Sequence, residues 1–326
     1  MSSPQESGGH SSTPPFPTRI FESGRRGLVT GLSTAWFLIK VMVPTILLVN
    51  LAKATGILAL LAQGTAPLMN VFNLPGEASL VLLTGALVNI YAAIAVAVNI
   101  SLSAKSMTVM AIMILIAHNL IVETAVQSKA GTPAAVMLIS RISASCLAGL
   151  IFARIIPDSG SPLVHSLTTN PGKGWTTVIT GNAVSMIKIA LIVISLMIAV
   201  EIMREFGLMD RLMDLLHPPM KMLGMNRKTS FVAAVGLILG LAYGAGLIID
   251  EAKAKTFSGD EILATNMFLG TNHAMIEDSL IFAAVGANLL WIVLGRLVFG
   301  SIFVRLTVPV ARRWVYGERG KRFEKG

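Results

Sequence analysis

The amino-acid sequence predicts an all-α polytopic membrane protein of two inverted repeats, each with three transmembrane helices, an amphipathic helix and a re-entrant helical hairpin. Three observations carry the prediction. First, 54% of the 326 residues are hydrophobic and only 13% are charged, with mean hydropathy +0.73. A soluble chain carries about 25% charged residues, so an ordinary water-soluble enzyme is excluded. Second, six stretches are apolar enough to cross a bilayer, which takes about 20 helical residues for about 30 Å of hydrocarbon. Third, the chain matches itself at an offset of 151 to 154 residues, so its length reads as a repeat count.

In chain order, residues 1–18 have the Ser, Pro and Gly content of a disordered tail. The following apolar stretch is far longer than the about 7 to 15 residues of a signal peptide. The first repeat, 19–156, holds spans at 35–62, 106–126 and 134–156, and residues 157–177 form a linker. The second repeat, 178–311, holds spans at 178–203, 261–284 and 287–311, and a basic cytoplasmic tail occupies 312–326. Amphipathic segments lie at 64–77 and 208–227. Two further apolar stretches, 79–103 and 230–250, are interrupted by Thr84-Gly85 and Asn89-Ile90-Tyr91 and by Gly236, Gly240 and Gly244 to Gly246. Hydropathy alone is compatible with either a span or a re-entrant hairpin for each.

An offset of 151 superposes Gly56 on Gly207, Pro67 on Pro218, Gly85 on Gly236, and Gly149, Phe152 and Arg154 on Gly300, Phe303 and Arg305. An offset of 154 between them places Asn119 on His273, Glu123 on Glu277 and Thr124 on Asp278, with the three-residue change absorbed in loops.

Charge decides the orientation. The net charge of +9 reads as anchoring of cytoplasmic loops rather than nucleic-acid binding. Arg19, Arg25 and Arg26 place the N-terminus inside, and Arg312, Arg313, Arg319, Lys321 and Arg322 do the same for the C-terminus. With hairpins at 79–103 and 230–250, Lys129 and Arg204 to Lys228 also fall inside. With eight crossings, Arg204 to Lys228 would fall outside, against the charge rule. Six spans and two hairpins make each half cross an odd number of times, hence an inverted pair. The inner (plasma) membrane is the expected location.

The densest polar cluster at membrane depth is His118, Asn119, Glu123 and Thr124 in the first half and Asn272, His273, Glu277 and Asp278 in the second. In a continuous helix Asn119 and Glu123, like His273 and Glu277, share a face. A charge near a helix centre costs about 2.5–3.5 kcal/mol even on a lenient scale. Either these groups pair and lock the halves together, or they line a cavity that binds solute, protons or cations. His118, Glu123, His273, Glu277 and Asp278 also make a nitrogen and oxygen donor set for a divalent metal. No zinc-protease pattern or cysteine pair accompanies them, since Cys146 is alone, and whether metal binds stays open. Asn89, Tyr91, Tyr243 and Gly244 fall at the hairpin tips, where non-helical backbone is tolerated only in protein or beside a cavity. Arg141 and Arg296 on the third spans are candidates to pair with the carboxylates.

No phosphate-binding loop, dinucleotide fingerprint or nucleophile motif occurs, so no enzyme activity and no cofactor are expected. The block from Gly207 to Asp250, the block from Asn272 to Leu280 and their first-half counterparts resemble the nucleoside-recognition or Gate domain proteins. That group includes the spore maturation proteins and the gate regions of the ferrous iron transporter FeoB, and the order of elements resembles the concentrative nucleoside transporters. The first hairpin, however, has no carboxylate between Ser79 and Ser101, and no GTPase domain is present. The resemblance implies a transporter-like protein that moves a small polar solute, nucleosides among the candidates, by alternating access coupled to H+ or Na+. A divalent metal permease and a non-transporting assembly scaffold are the alternatives, and a homo-oligomer or partner membrane subunit would suit so small a chain.

Overall fold

A computed structural model describes residues 15–100, 102–158, 187, 190–191, 193–195, 197–199, 201–208, 211, 220, 225–253 and 256–317. The expected span at 178–203, the amphipathic segment at 208–227 and the 157–177 linker lie largely outside the described residues, as do residues 1–14 and 318–326. Among the described residues every regular element is helical.

Helix α1 (Phe16–Ala54) begins within the expected tail and ends before Gly56, whose φ of 76° turns the chain into α2 (Ile57–Asn70). The expected span 35–62 is therefore two helices. Next come α3 (Ala78–Leu87) and α4 (Ile90–Ala97), which fold back on each other at Val88 and Asn89. Asn89 is extended there, and its side chain accepts from the Ala92 N–H at 2.9 Å, starting α4. The second hairpin is α8 (Arg227–Leu239) and α9 (Leu241–Lys253), broken at Gly240 with φ 98°. Its arms meet at Gly236 and Gly244, where a Cβ on Gly244 would stand 2.8 Å from Gly236 Cα. Gly85 and Ala93 approach in the same way in the first hairpin.

The spans expected at 106–126 and 261–284 are each interrupted. Helices α5 (Ala104–Ala117) and α6 (Leu120–Lys129) are separated by His118 and Asn119, and α10 (Gly259–Asn272) and α11 (Glu277–Ala284) by residues 273–276. Helix α5 starts on a Ser103 cap and α10 on a Ser258–Glu261 capping box. The third pair is α7 (Ala134–Ile155) and α12 (Arg296–Tyr316), the latter extending a π-helical turn at Trp291–Gly295. Among the described residues three stretches, 104–129, 134–155 and 291–316, are long and apolar enough to cross a membrane. Helix α12 exposes Val298, Ile302, Leu306 and Val310, an i, i+4 stripe continuing from Leu294. Lipid, not water, is the solvent for such a face.

The contacts sort the helix ends into two groups. At one end Gly131 packs on Ile262, Asn226 bonds Glu261, and Arg312 pairs with Asp260 at 3.0 Å, while separately Arg19 and Arg26 bind Glu205 at 2.8 and 2.7 Å. These hydrogen bonds, from Arg19 first and then Arg26, hold the Glu205 carboxyl below the usual range. At the other end Asn73 donates to the Ala153 carbonyl at 3.3 Å, and the Asn288 N–H donates to Thr108 at 2.9 Å. Hence α5–α6 and α10–α11 run antiparallel.

Candidate functional site

The site forms where the two interrupted helices break. His118 and His273 end α5 and α10 in the same extended conformation, with ψ of 160° and 162°, and the next residue in each case is left-handed, Asn119 at φ 46° and Ala274 at φ 47°. The caps Ser103 and Ser258 and the arginines Arg141 and Arg296 fall in the same register. Equivalence therefore runs at an offset of 155, pairing His118 with His273, Glu123 with Asp278 and Thr124 with Ser279. The backbone match runs one residue apart from the 154 offset of the sequence, since it follows conformation rather than residue identity.

Each break is held to its own hairpin by backbone. Asn119 N–H donates to the Gly85 carbonyl at 2.9 Å, and Ala274 and Met275 N–H donate to the Gly236 and Leu237 carbonyls at 3.3 and 2.7 Å. Any side chain at Gly85 would press on Ile114, and one at Gly236 on Leu269, so small residues let each hairpin reach the break.

A helix that stops in the interior leaves carbonyls without donors, and here two buried arginines supply them. Arg141, fully buried, donates to the Ile116 and His118 carbonyls at 2.9 and 2.8 Å and pairs with Glu123 at 2.7 Å. Arg296, also fully buried, donates to the His273 carbonyl at 3.1 Å and, across the halves, to the Leu115 carbonyl at 3.4 Å. The expected arginine–carboxylate pairing thus holds for Arg141, whereas Arg296 chiefly closes backbone.

The imidazoles meet at the centre. His118 Nε2 lies 3.3 Å from His273 Nε2 and 3.1 Å from Glu123 Oε1, and His273 Nε2 lies 3.3 Å from Glu123 Oε2. Asp278 Oδ2 stands 3.9 Å from His118 Nε2. Both Nδ1 atoms face backbone carbonyls, of Ile114 at 3.2 Å and Leu269 at 2.7 Å. A carbonyl only accepts, so both Nδ1 atoms carry hydrogen, and a ring that is neutral turns a lone pair from Nε2 toward the other ring and Glu123. His118, Glu123 and His273 together could hold a metal ion, their donor atoms lying within 4.8 Å of one another.

Of the other expected residues, Thr124 is buried with its hydroxyl lacking a hydrogen-bond partner among the described residues, and so is its counterpart Ser279. Asn272 is directed elsewhere: its amide bonds Thr271 at 2.9 Å and packs against Gly300 of α12. Glu277 is half-buried, within electrostatic reach of Arg204 and Asp278, and Tyr91 of the first hairpin is within reach of Asp278 and Glu277. Gly244 serves the packing of the second hairpin, and the side chain of Tyr243 lies outside the described residues. The sequence reading missed a second link between the halves. Gln127 donates to the Asn266 carbonyl at 2.9 Å, and Asn266 donates to Thr132 at 2.9 Å. Two amides in otherwise apolar runs were its only signal. A mostly apolar cleft of about 470 Å³ beside the first hairpin reaches Ala117 and Leu120, which flank the first break.

The family model described as Gate, nucleoside recognition, matches residues 186–288. YvoD, an uncharacterised membrane protein of Bacillus subtilis, is 32% identical over 306 residues, covering 88% of this chain and 94% of that one. No solved structure matches.

Proposed function

Because the chain belongs to the Gate, or nucleoside recognition, family of membrane proteins, we propose that it is a cation-coupled carrier of a small polar solute, with no covalent chemistry of its own. The observation that carries this reading is the ionisable centre: His118, Glu123, His273 and Asp278 converge from both halves at helix breaks, each of which is bonded to a hairpin. Burying such groups is costly in a bilayer, and inverted repeats with discontinuous helices place transport sites at the repeat interface. In this reading the halves are inverted repeats, the hairpins re-enter the membrane and act as gates, and alternating access rocks one half against the other. Glu123 and Asp278 are the coupling groups, exchanging H+ or Na+, while the hydroxyls of Thr124 and Ser279 are free to bind solute. The protein sits in the inner membrane with both termini cytoplasmic.

The test is uptake into proteoliposomes by wild type, Glu123→Gln and Asp278→Asn, screening small polar solutes, nucleosides among them, under imposed pH and Na+ gradients. Gradient-driven uptake should fall at least tenfold in each variant while solute exchange at equal gradients survives in at least one. Wild-type rates in both variants would remove these carboxylates from the mechanism.

A further inference from the structure

We propose that His118 Nε2, His273 Nε2 and the Glu123 carboxylate form a binding site for one first-row divalent transition-metal cation. The proposal deepens the reading of the centre as a cation site by naming the ion's class. Its first support is the direction of the lone pairs. With both Nδ1 atoms committed to carbonyls at 3.2 and 2.7 Å, two Nε2 lone pairs and a carboxylate converge on one point. Like partial charges at that spacing repel unless something positive lies between them. A proton satisfies one pair of donors and leaves the third facing them; a metal ion satisfies all three.

The spacing is the second support. Donors about 2.0–2.1 Å from a common ion are about 2.9 Å apart at right angles and about 3.3 Å apart at tetrahedral angles. The two Nε2 atoms stand 3.3 Å apart, and the carboxylate offers a different oxygen to each ring, Oε1 at 3.1 Å from His118 and Oε2 at 3.3 Å from His273. Third, the surroundings are those of a metal site. Ligating histidines donate the other ring N–H to a carbonyl or carboxylate, and ligating carboxylates are themselves hydrogen-bonded. Here each Nδ1 meets the carbonyl four residues earlier, and Arg141 holds Glu123 at 2.7 Å. Asp278 Oδ2, 3.9 Å from His118 Nε2, offers a further oxygen.

The donor set also selects the ion. Two imidazoles with one carboxylate and no sulfur suit Fe2+, Co2+ or Zn2+, whereas Mg2+ and Ca2+ need oxygen cages. Arg141 and Arg296 offset Glu123 and Asp278 in charge, so retention depends on nitrogen coordination and not on a net negative field.

The experiment uses the full chain purified in detergent, stripped with EDTA and titrated with Zn2+ by calorimetry and with Co2+ by visible absorption. One Zn2+ per chain should bind, displace Co2+ and be indifferent to Mg2+. His118→Gln, His273→Gln and Glu123→Gln should each weaken Zn2+ at least tenfold, the order seen when a metal shell is disturbed, while Asp260→Asn, at the Arg312 pair, should not. Elution as a single species in size exclusion checks that each variant is folded. Absence of saturable Zn2+ binding, or equal binding in all variants, overturns the site. Solute uptake by protein that binds no Zn2+ overturns it while leaving the carrier reading intact, and Zn2+ binding without uptake of any solute supports it while removing that reading.

Discussion

At the scale of the residue, the centre depends on arginines whose role is mostly structural. Arg141 closes two carbonyls of a helix that ends in the interior and neutralises Glu123 beside two imidazoles. Arg141→Met removes the guanidinium from that carboxylate and the donors from those carbonyls, a loss of about 3–5 kcal/mol for breaking a buried pair from one side. We expect a clear drop in melting temperature in detergent, not recovered by Arg141→Lys, whose one nitrogen cannot span the acceptors that Arg141 serves from both Nε and Nη2. Adding Glu123→Gln to Arg141→Met should return part of the loss, and a wild-type melting curve for Arg141→Met alone would refute this account. His118, Glu123, His273, Asp278 and both arginines were legible in the sequence because ionisable groups are conspicuous in apolar runs. The pairing of His118 with His273 was not. Adjacent His-Asn and Asn-His let identity favour a register one residue away, and the left-handed residue after each histidine is what sets the two rings at matching breaks.

At the scale of the element, glycine marks where helices approach closely, and the sequence announces this unevenly. The hairpin breaks at Asn89 and Gly240 were readable from interrupted apolar runs. The contact of α1 with the second half was not read, although Gly27 and Gly31 have the Gly-x-x-x-Gly spacing that lets helix backbones meet. A Cβ on Gly31 would lie 2.8 Å from Ile194 Cα. Within the second hairpin the same reasoning separates two neighbouring glycines. A methyl at Gly244 would meet Gly236 Cα at 2.8 Å and Leu269 Cδ1 at 2.7 Å, so the arms must part. Gly244→Ala should destabilise the protein by about 1–3 kcal/mol. Nothing lies within 4 Å of a Cβ on Gly246, so Gly246→Ala in the interior of α9 should be neutral or stabilise by up to about 1 kcal/mol. Thermal melts of the two variants should move apart, and equal shifts would mean that the hairpin arms do not touch at Gly236.

At the scale of the whole molecule, the contacts fix which helix ends lie together, and the proposed orientation sets those ends on opposite sides of the membrane. One end gathers Lys129, Arg227 and Arg312, while the other, described at residues 71–78, 103–108, 153–158 and 285–290, carries Lys105 and Arg154. In the proposed orientation the first end faces the cytoplasm, as the positive-inside rule expects. That assignment requires both hairpins to turn back, since a crossing at 230–250 would separate Asn226 from Glu261, which are bonded. Single cysteines test it in a Cys146→Ser background, which removes the one native thiol. Glu77→Cys and Asp158→Cys should react with a membrane-impermeant maleimide in cells with a permeabilised outer layer and an intact inner membrane. Lys129→Cys and Arg313→Cys should react only after lysis. Labelling of positions 77 and 129 from the same side would mean that the interrupted α5–α6 does not cross. The His118 centre would then sit at a membrane surface, where water could hydrate it and the case for a coupled carrier would lapse. The opposite pattern of labelling at all four positions would keep the fold and reverse its orientation, leaving the two halves antiparallel about the same buried centre.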